Sequence, residues 1–179
     1  AFNQTSEAAF IDWLLGGQPE TPHYFSQMKR VNRIGPALLM SLPQAQHILE
    51  RPGKDIIPDN ALFIDTRPQA DYIARHYTGT LSIPISERAF TSYVGWYVNY
   101  NAPTFFIAYR NDVQDVLKAL FSIGVDNVPG YFTTEVLDQA KSVMSRVTPQ
   151  QAYDADMLII DVRSNAEYQD EHIPNARHI

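Results

Sequence analysis

Along the middle of the chain, short apolar runs alternate with apolar residues at helical spacing. The continuous runs predict buried strands at residues 61–65, 80–83 and 104–108, with a further edge strand at 125–128. The helical spacing predicts helices at residues 68–75, 87–96, 113–123 and 133–141. Strict alternation of short strands and helices predicts an α/β fold, with a parallel sheet that helices cover on both faces.

Polar residues and glycine mark the ends of two of these helices. Ser86 is expected to cap the helix that runs through Trp96. Asn111 or Asp112 is expected to cap the next helix, which Gly124 would end. Because that helix directly follows the apolar run at 104–108, the sequence predicts a tight strand-to-helix corner around residue 110.

The first 36 residues have a different pattern. Thr5 or Ser6 can cap a first helix that Gly16-Gly17 would end, and Gly35-Pro36 would end a second. Two helices this short bury little apolar surface between them. We therefore expect this leader to pack on another element.

An internal repeat begins after residue 39. Residues 62–67 match residues 158–163, so that Asp65 and Asp161 are 161 − 65 = 96 positions apart. The same offset relates three further pairs, which are Tyr72 and Tyr168, His76 and His172, and Ile83 and Ile179. The second copy is too short to bury a core alone, so we expect it to dock on the first copy or on a neighbouring chain.

Each copy is preceded by a pattern typical of a helix start. Residues 41–44 and 148–151 both place a hydroxyl residue three positions before a glutamine, as in a capping box. A helix is therefore expected to begin after Ser41 and after Thr148.

The repeated segments resemble the rhodanese family. Residues 158–163 have the strand-then-acid pattern of that family, and residues 167–176 resemble its His-Ile-Pro motif. The first copy keeps His76 and Gly79 but lacks the Ile-Pro pair. The resemblance implies a degenerate rhodanese-like domain over 37–146 and the truncated start of a second rhodanese-like domain over 147–179.

The leader, residues 1–36, resembles the C-terminal end of metallo-β-lactamase-fold proteins that are fused to rhodanese domains. The matching segments are Gly17-Gln18-Pro19, Pro22-His23-Tyr24-Phe25, Met28-Lys29, Asn32 and Gly35. Such fusions are similar to persulfide dioxygenases, which oxidise low-molecular-weight persulfides at a mononuclear iron. The resemblance implies that iron (or zinc) belongs to an upstream domain, with no cofactor in this chain. It also implies a parent protein with enzymatic activity in sulfur metabolism.

Rhodanese chemistry requires a thiolate at the carboxyl end of a central strand, where a tight loop begins a helix. The chain contains no cysteine, and the family's cysteine would fall at about Tyr109 or Ala108. Carboxylates at Asp112 and Asp115 would also repel a sulfur anion at the helix start. We interpret one segment as a degenerate active loop without a catalytic residue, comprising Tyr109, Arg110, Asn111, Asp112 and Val113.

Composition narrows the range of partners. A net charge of −6 and an isoelectric point near 5.2 argue against a nucleic-acid partner. No apolar run approaches the roughly 20 residues of a membrane span, so no membrane partner is expected. The five histidines show no His-x-His-x-Asp-His pattern, so no metal site is expected here. The absence of cysteine fits a cytoplasmic location.

Three functions remain open from the sequence. The first is a non-catalytic domain that scaffolds a larger sulfur-metabolism protein, with the other domains of its own polypeptide as partners or with a homodimer contact. The second is a stand-alone module that binds a small molecule or protein, with Arg110 and Asn111 as hydrogen-bond donors. The third is an enzyme with an unrelated mechanism.

Overall fold

A computed structural model describes residues 6–15, 21–38, 40, 44–155 and 157–179. It divides into two compact units, Ala1–Val143 and Met144–Ile179. The helices of the first unit are α1 (Glu7–Leu15), α2 (Tyr24–Ile34), α3 (Gln69–Ala74), α4 (Phe90–Tyr97) and α5 (Val113–Ser122), with a 3₁₀ helix at Thr134–Gln139. Its strands are β1 (Gln46–His47), β2 (Leu62–Asp65), β3 (Leu81–Ser82), β4 (Thr104–Ala108) and β5 (Gly130–Thr133).

The five strands of the first unit form one parallel sheet in the order β1-β5-β4-β2-β3. Successive side chains of the central strand β4 point to opposite faces and are all buried. On one face Phe106 packs with α4 and α5, and on the other Phe105 and Ile107 pack with Phe132 and the 3₁₀ helix. This confirms the predicted α/β fold, and it places β4 where both of its faces are covered.

Several sequence predictions are correct in detail. The strands at 62–65, 81–82 and 104–108 lie within the predicted runs. Gly35 and Gly124 follow the ends of α2 and α5 with φ angles of 88° and 72°, the left-handed conformation that glycine tolerates. Ser6 caps α1 by accepting a hydrogen bond from the amide of Ala9, whereas Thr5 and Gly16-Gly17 lie outside the described residues.

The predicted edge strand at 125–128 is wrong. Val125 and Val128 are buried in the core, but they reach it from a loop, and the strand begins only at Gly130, after Pro129. Pro129 has no backbone N–H to donate to a neighbouring strand, which disfavours an earlier start. Two buried valines in a loop therefore gave the same local pattern as a strand.

Three helix predictions also need correction. The helix predicted from Ser86 begins at Phe90 instead, because the amide of Glu87 bonds the carbonyl of Pro84 in a preceding turn. The helix predicted over 133–141 is a six-residue 3₁₀ helix. No helix follows residue 44 directly, since residues 46–47 form β1 and pair with Gly130 and Tyr131 of β5; residues 41–43 lie outside the described part of the chain.

The second unit contains α6 (Pro149–Asp154), β6 (Ile160–Asp161), α7 (Asn165–Asp170) and β7 (Arg177–His178). The strands β6 and β7 pair in parallel as a two-stranded sheet. Thr148 forms the predicted capping box with Gln151, and Ser164 forms a second one with Glu167. Every helix among the described residues of both units is too short or too polar to cross a membrane.

Candidate functional site at the end of the central strand

The segment Tyr109–Asp112 connects β4 to α5 and forms the strand-to-helix corner that the sequence predicts. The amide of Asp112 bonds the carbonyl of Tyr109 at 2.9 Å and closes a tight turn, after which Val113 enters the core. Because all five strands are parallel, the carboxyl ends of β2, β4 and β5 meet at this edge, which is where ligands bind in open α/β sheets. The corner is therefore the candidate functional site.

Tyr109 is the first residue of this corner. Its hydroxyl donates a 2.5 Å hydrogen bond to the carboxylate of Asp71, a residue of α3. This hydrogen bond, together with partial burial, raises the pKa of Tyr109 above its ordinary value. The phenol therefore keeps its proton and serves as a hydrogen-bond donor that ties the corner to α3.

Arg110 points to the other side of the corner. Its guanidinium donates a 2.9 Å hydrogen bond to Glu135 at the start of the 3₁₀ helix. Both side chains are largely exposed, so the ion pair contributes at most about 1 kcal/mol. One of the two donors that a small ligand would need is thus already engaged within the chain.

A short polar network continues from Glu135 to the edge of the sheet. Thr133 donates to the Glu135 carboxylate, and the imidazole Nε2 of His47 lies 2.9 Å from the Thr133 hydroxyl. The hydrogen bond from Thr133, with that from Arg110, lowers the pKa of Glu135 to about 2. A cavity of about 90 Å³ lies beside this network, too small for more than a few waters.

Carboxylates stand at the amino-terminal end of α5, where an anion would otherwise be stabilised. Asp112 is the N-cap residue, as predicted, but its described side chain makes no capping hydrogen bond. Asp115 lies in the first turn and pairs with Lys118 at 3.2 Å. Negative charge here stabilises the helix by about 0.3–1 kcal/mol per residue and opposes a sulfur anion.

Comparison with known proteins agrees with this architecture. Residues 147–179 match the model of the rhodanese-like domain. Among solved structures, the chain is 30% identical to a metallo-beta-lactamase from Staphylococcus aureus subsp. aureus COL, with a TM-score of 0.57 over 74% of this chain and 36% of that one. Residues 147–179 are therefore rhodanese-like, and the chain is similar to part of a metallo-beta-lactamase.

Two further neighbours are more distant. A variant of EanB in complex with ergothioneine covalently linked with a persulfide is 16% identical, with a TM-score of 0.43 over 76% of this chain and 41% of that one. Another variant of EanB, in complex with hercynine, is 17% identical, with a TM-score of 0.39 over 68% of this chain and 37% of that one. The search of curated proteins gave no match. The chain spans about a third of the length of the Staphylococcus protein.

The rhodanese-like repeat has the same hydrogen bonds in both copies. In the first copy, Arg67 binds both carboxylate oxygens of Asp65 and donates a 2.7 Å bond to the carbonyl of Arg75. In the second, Arg163 binds Asp161 and donates a 2.6 Å bond to the carbonyl at position 171, again eight residues on. Each aspartate therefore closes a turn with the arginine two residues on.

A stacked Tyr-His pair completes each copy of the repeat. The rings of Tyr72 and His76 are 4.1 Å apart, and those of Tyr168 and His172 are 4.0 Å apart. In each pair the imidazole Nδ1 bonds the tyrosine carbonyl, at 2.8 and 2.7 Å. The histidines are thus structural, and the described residues contain no group of three or more His, Asp or Glu side chains that could hold a metal.

Asp71 and Glu135 are the site residues that the sequence interpretation missed. They contact Tyr109 and Arg110 across 38 and 25 positions of sequence, and no local pattern indicates such pairs. The repeat offers one signal, because the position equivalent to Asp71 is Glu167, which is also acidic. Glu167 instead bonds the backbone and side chain of Ser164 at the start of α7.

Proposed function

We propose that this chain is a non-catalytic rhodanese-like region of a multidomain metallo-β-lactamase/rhodanese protein of persulfide or sulfide metabolism. Its role is to scaffold the catalytic domains of that protein or to provide a dimer contact. One observation carries the proposal: the strand-to-helix corner after β4, where the rhodanese resemblance would place a cysteine, holds Tyr109, whose hydroxyl is bound to Asp71.

The chemistry of sulfur transfer supports this proposal. A persulfide forms only on a thiolate, and the chain contains no cysteine. The raised pKa of Tyr109 makes its oxygen a poor nucleophile at neutral pH, because the reactive form is the deprotonated one. Asp112 and Asp115 add negative charge where the family chemistry requires stabilisation of an anion.

In this proposal the metal belongs to another domain. The lack of a group of three His, Asp or Glu side chains among the described residues supports this assignment. The metallo-β-lactamase-type domain of the parent protein would supply the ligands. This chain would then hold the catalytic domains in position and provide contact surface, without supplying ligands to the metal.

A sulfurtransferase assay tests the proposal directly. We expect the purified chain to produce no thiocyanate from thiosulfate and cyanide above the uncatalysed rate, and to carry no cyanide-releasable sulfur after incubation with a persulfide. A cysteine-containing rhodanese assayed in parallel is the positive control. Catalytic turnover by the chain, lost in a Tyr109→Phe variant, would overturn the proposal.

The full-length parent protein provides a second test. Tyr109→Phe removes the hydroxyl that binds Asp71 but keeps the ring, so persulfide turnover should be unchanged if the corner has no catalytic role. A loss of kcat at unchanged thermal stability would show that the corner takes part in the reaction. A loss of kcat that accompanies a loss of thermal stability would leave only a structural role for the bond.

A further inference from the structure

The parallel sheet of the second unit, formed by β6 and β7, exposes apolar side chains. Leu158, Ile160 and Ile179 are 73%, 47% and 70% exposed. Parallel sheets in proteins are almost always covered on both faces, and two strands alone have little stability in water. Among the described residues, this sheet therefore lacks the cover that its type of pairing normally has.

The first unit shows what covers the equivalent sheet. The offset of 96 relates the three exposed residues to Leu62, Ile64 and Ile83, which are all buried in one cluster of the core. The same cluster contains the apolar stripe of α5, which consists of Val113, Val116 and Leu120. The exposed residues of the second unit therefore correspond to a single face, the one on which α5 packs in the first unit.

The outer edge of β6, on the side away from β7, also corresponds to a paired edge in the first unit. There β2 lies between β3 and β4, and the amides of Leu62 and Thr66 donate hydrogen bonds of 3.0 and 2.9 Å to carbonyls of residues 103–107. The equivalent amides, those of Leu158 and Val162, have no hydrogen-bond partner among the described residues. An edge with free amide donors is a template for a further strand.

The bonds that hold β6 beside β7 are the same as those that hold β2 beside β3. Ile64 lies opposite Leu81 in the first unit, and the equivalent Ile160 lies opposite Arg177 in the second. The hydroxyl of the repeated tyrosine donates to the carbonyl eight residues on in both units, at 2.7 and 2.9 Å. Because the two sheets share register and side-chain bonds, the outer edge of β6 presents its amides as β2 does to β4.

We propose that the β6–β7 sheet binds a strand–helix segment with the chemistry of β4 and α5. The strand is apolar and pairs in parallel with the outer edge of β6, and the apolar stripe of the helix covers Leu158, Ile160 and Ile179. The inference deepens the scaffold role proposed above and rests on it for the source of the segment, which is another part of the same multidomain polypeptide. Strand addition of this kind gains affinity from main-chain hydrogen bonds and specificity from alternate side chains.

NMR titration of the isotope-labelled chain with a peptide of residues 103–124, which contains β4 and α5, tests this proposal. We expect saturable shifts of the amide signals of Leu158 and Val162. We also expect nuclear Overhauser contacts that place Ile160 opposite Phe106 of the peptide, as Ile64 lies opposite Phe106 in the first unit. A peptide with Phe106→Asp and Leu120→Asp is the control, because both side chains are fully buried in the first unit, and it should cause no shifts.

A variant of the chain locates the binding surface. Ile160→Asp should raise the Kd of the peptide by at least about tenfold, because it places a charge on the face that the helix of the peptide covers. Ile160 is 47% exposed without the peptide, so the substitution buries no charge in the free chain. Leu49→Asp is the matched control, since Leu49 is 78% exposed and lies in the first unit, and it should leave the Kd unchanged.

Several results would overturn the proposal. These are no binding at millimolar peptide, shifts confined to the first unit, antiparallel pairing with β6, or equal weakening by Ile160→Asp and Leu49→Asp. Shifts of the Leu158 and Val162 amides that grow with protein concentration, without peptide, would assign the edge to a second copy and overturn it as well. The sulfurtransferase assay does not depend on the peptide, so failure of this inference is distinguishable from failure of the proposed function.

Discussion

The contact between α2 and α4 gives the sharpest prediction. Gly95 lies in α4 beneath the ring of Tyr24, and a Cβ atom at position 95 would be 2.2 Å from Cδ1 of that ring and 2.8 and 2.9 Å from Cγ and Cε1. Carbon atoms do not approach this closely, so Gly95→Ala must displace the ring. The substitution thus tests whether α2 is packed on the rhodanese-like unit as described.

Two opposing effects decide whether Gly95→Ala raises or lowers the free energy of unfolding. Alanine in place of glycine inside a helix raises it by about 1 kcal/mol. Overpacking of a filled site costs about 1–3 kcal/mol. Because the clash involves three atoms of a rigid ring, we expect the overpacking to win and Gly95→Ala to lower the free energy of unfolding by about 1 kcal/mol. In a Tyr24→Ala background the ring is gone, so the same change should stabilise by about 1 kcal/mol.

Urea unfolding followed by far-UV circular dichroism measures all four variants of this double-mutant cycle. The expected coupling between positions 24 and 95 is about 2 kcal/mol. If Gly95→Ala stabilised the protein equally with and without the Tyr24 ring, the coupling would be zero. That result would refute the packing of α2 on α4.

Two further predictions use the internal repeat. Ile64→Ala should lower the free energy of unfolding by about 2–5 kcal/mol, since Ile64 is fully buried. Ile160→Ala, at the equivalent position, should lower it by less than about 1 kcal/mol because Ile160 is 47% exposed. Equal losses in urea unfolding would contradict the exposure of β6. Arg163 lowers the pKa of Asp161 to about 2, so Arg163→Gln should raise it toward 3.8 in a carboxyl NMR titration. A carboxyl group whose pKa is lower in the folded than in the unfolded protein stabilises the fold at pH values above its unfolded pKa. This contribution should therefore be lost as the pH falls from about 4 to 2, and only in the protein that retains Arg163.

The sequence predicted those parts of the fold that short apolar runs and the repeat determine. The strand at 104–108 was found because five consecutive residues are buried on both faces of the sheet. The offset of 96 identified Asp65 and Asp161 as equivalent positions, and the same side chains at the same spacing make the same bonds. The corner at Tyr109 followed from a strand that runs directly into a helix.

The parts that failed depend on contacts between distant residues. The strand at Gln46–His47 is short and polar, and it exists because Gly130 and Tyr131 pair with it. Residues 125–128 had the pattern of a strand, but the valines there are buried without pairing. The bond between Tyr109 and Asp71 likewise joins residues that the sequence separates by 38 positions. Local propensity cannot determine such contacts.

The two-stranded sheet of the second unit has a consequence for where the chain unfolds locally. Leu158 and Ile179 are 73% and 70% exposed, whereas their equivalents in the first unit, Leu62 and Ile83, are 8% and 4% exposed. A two-stranded sheet with so little covered apolar surface has almost no stability of its own. Its amide protons should therefore exchange with solvent by local fluctuation, orders of magnitude faster than those of the central strand, whose exchange requires the first unit to unfold as a whole.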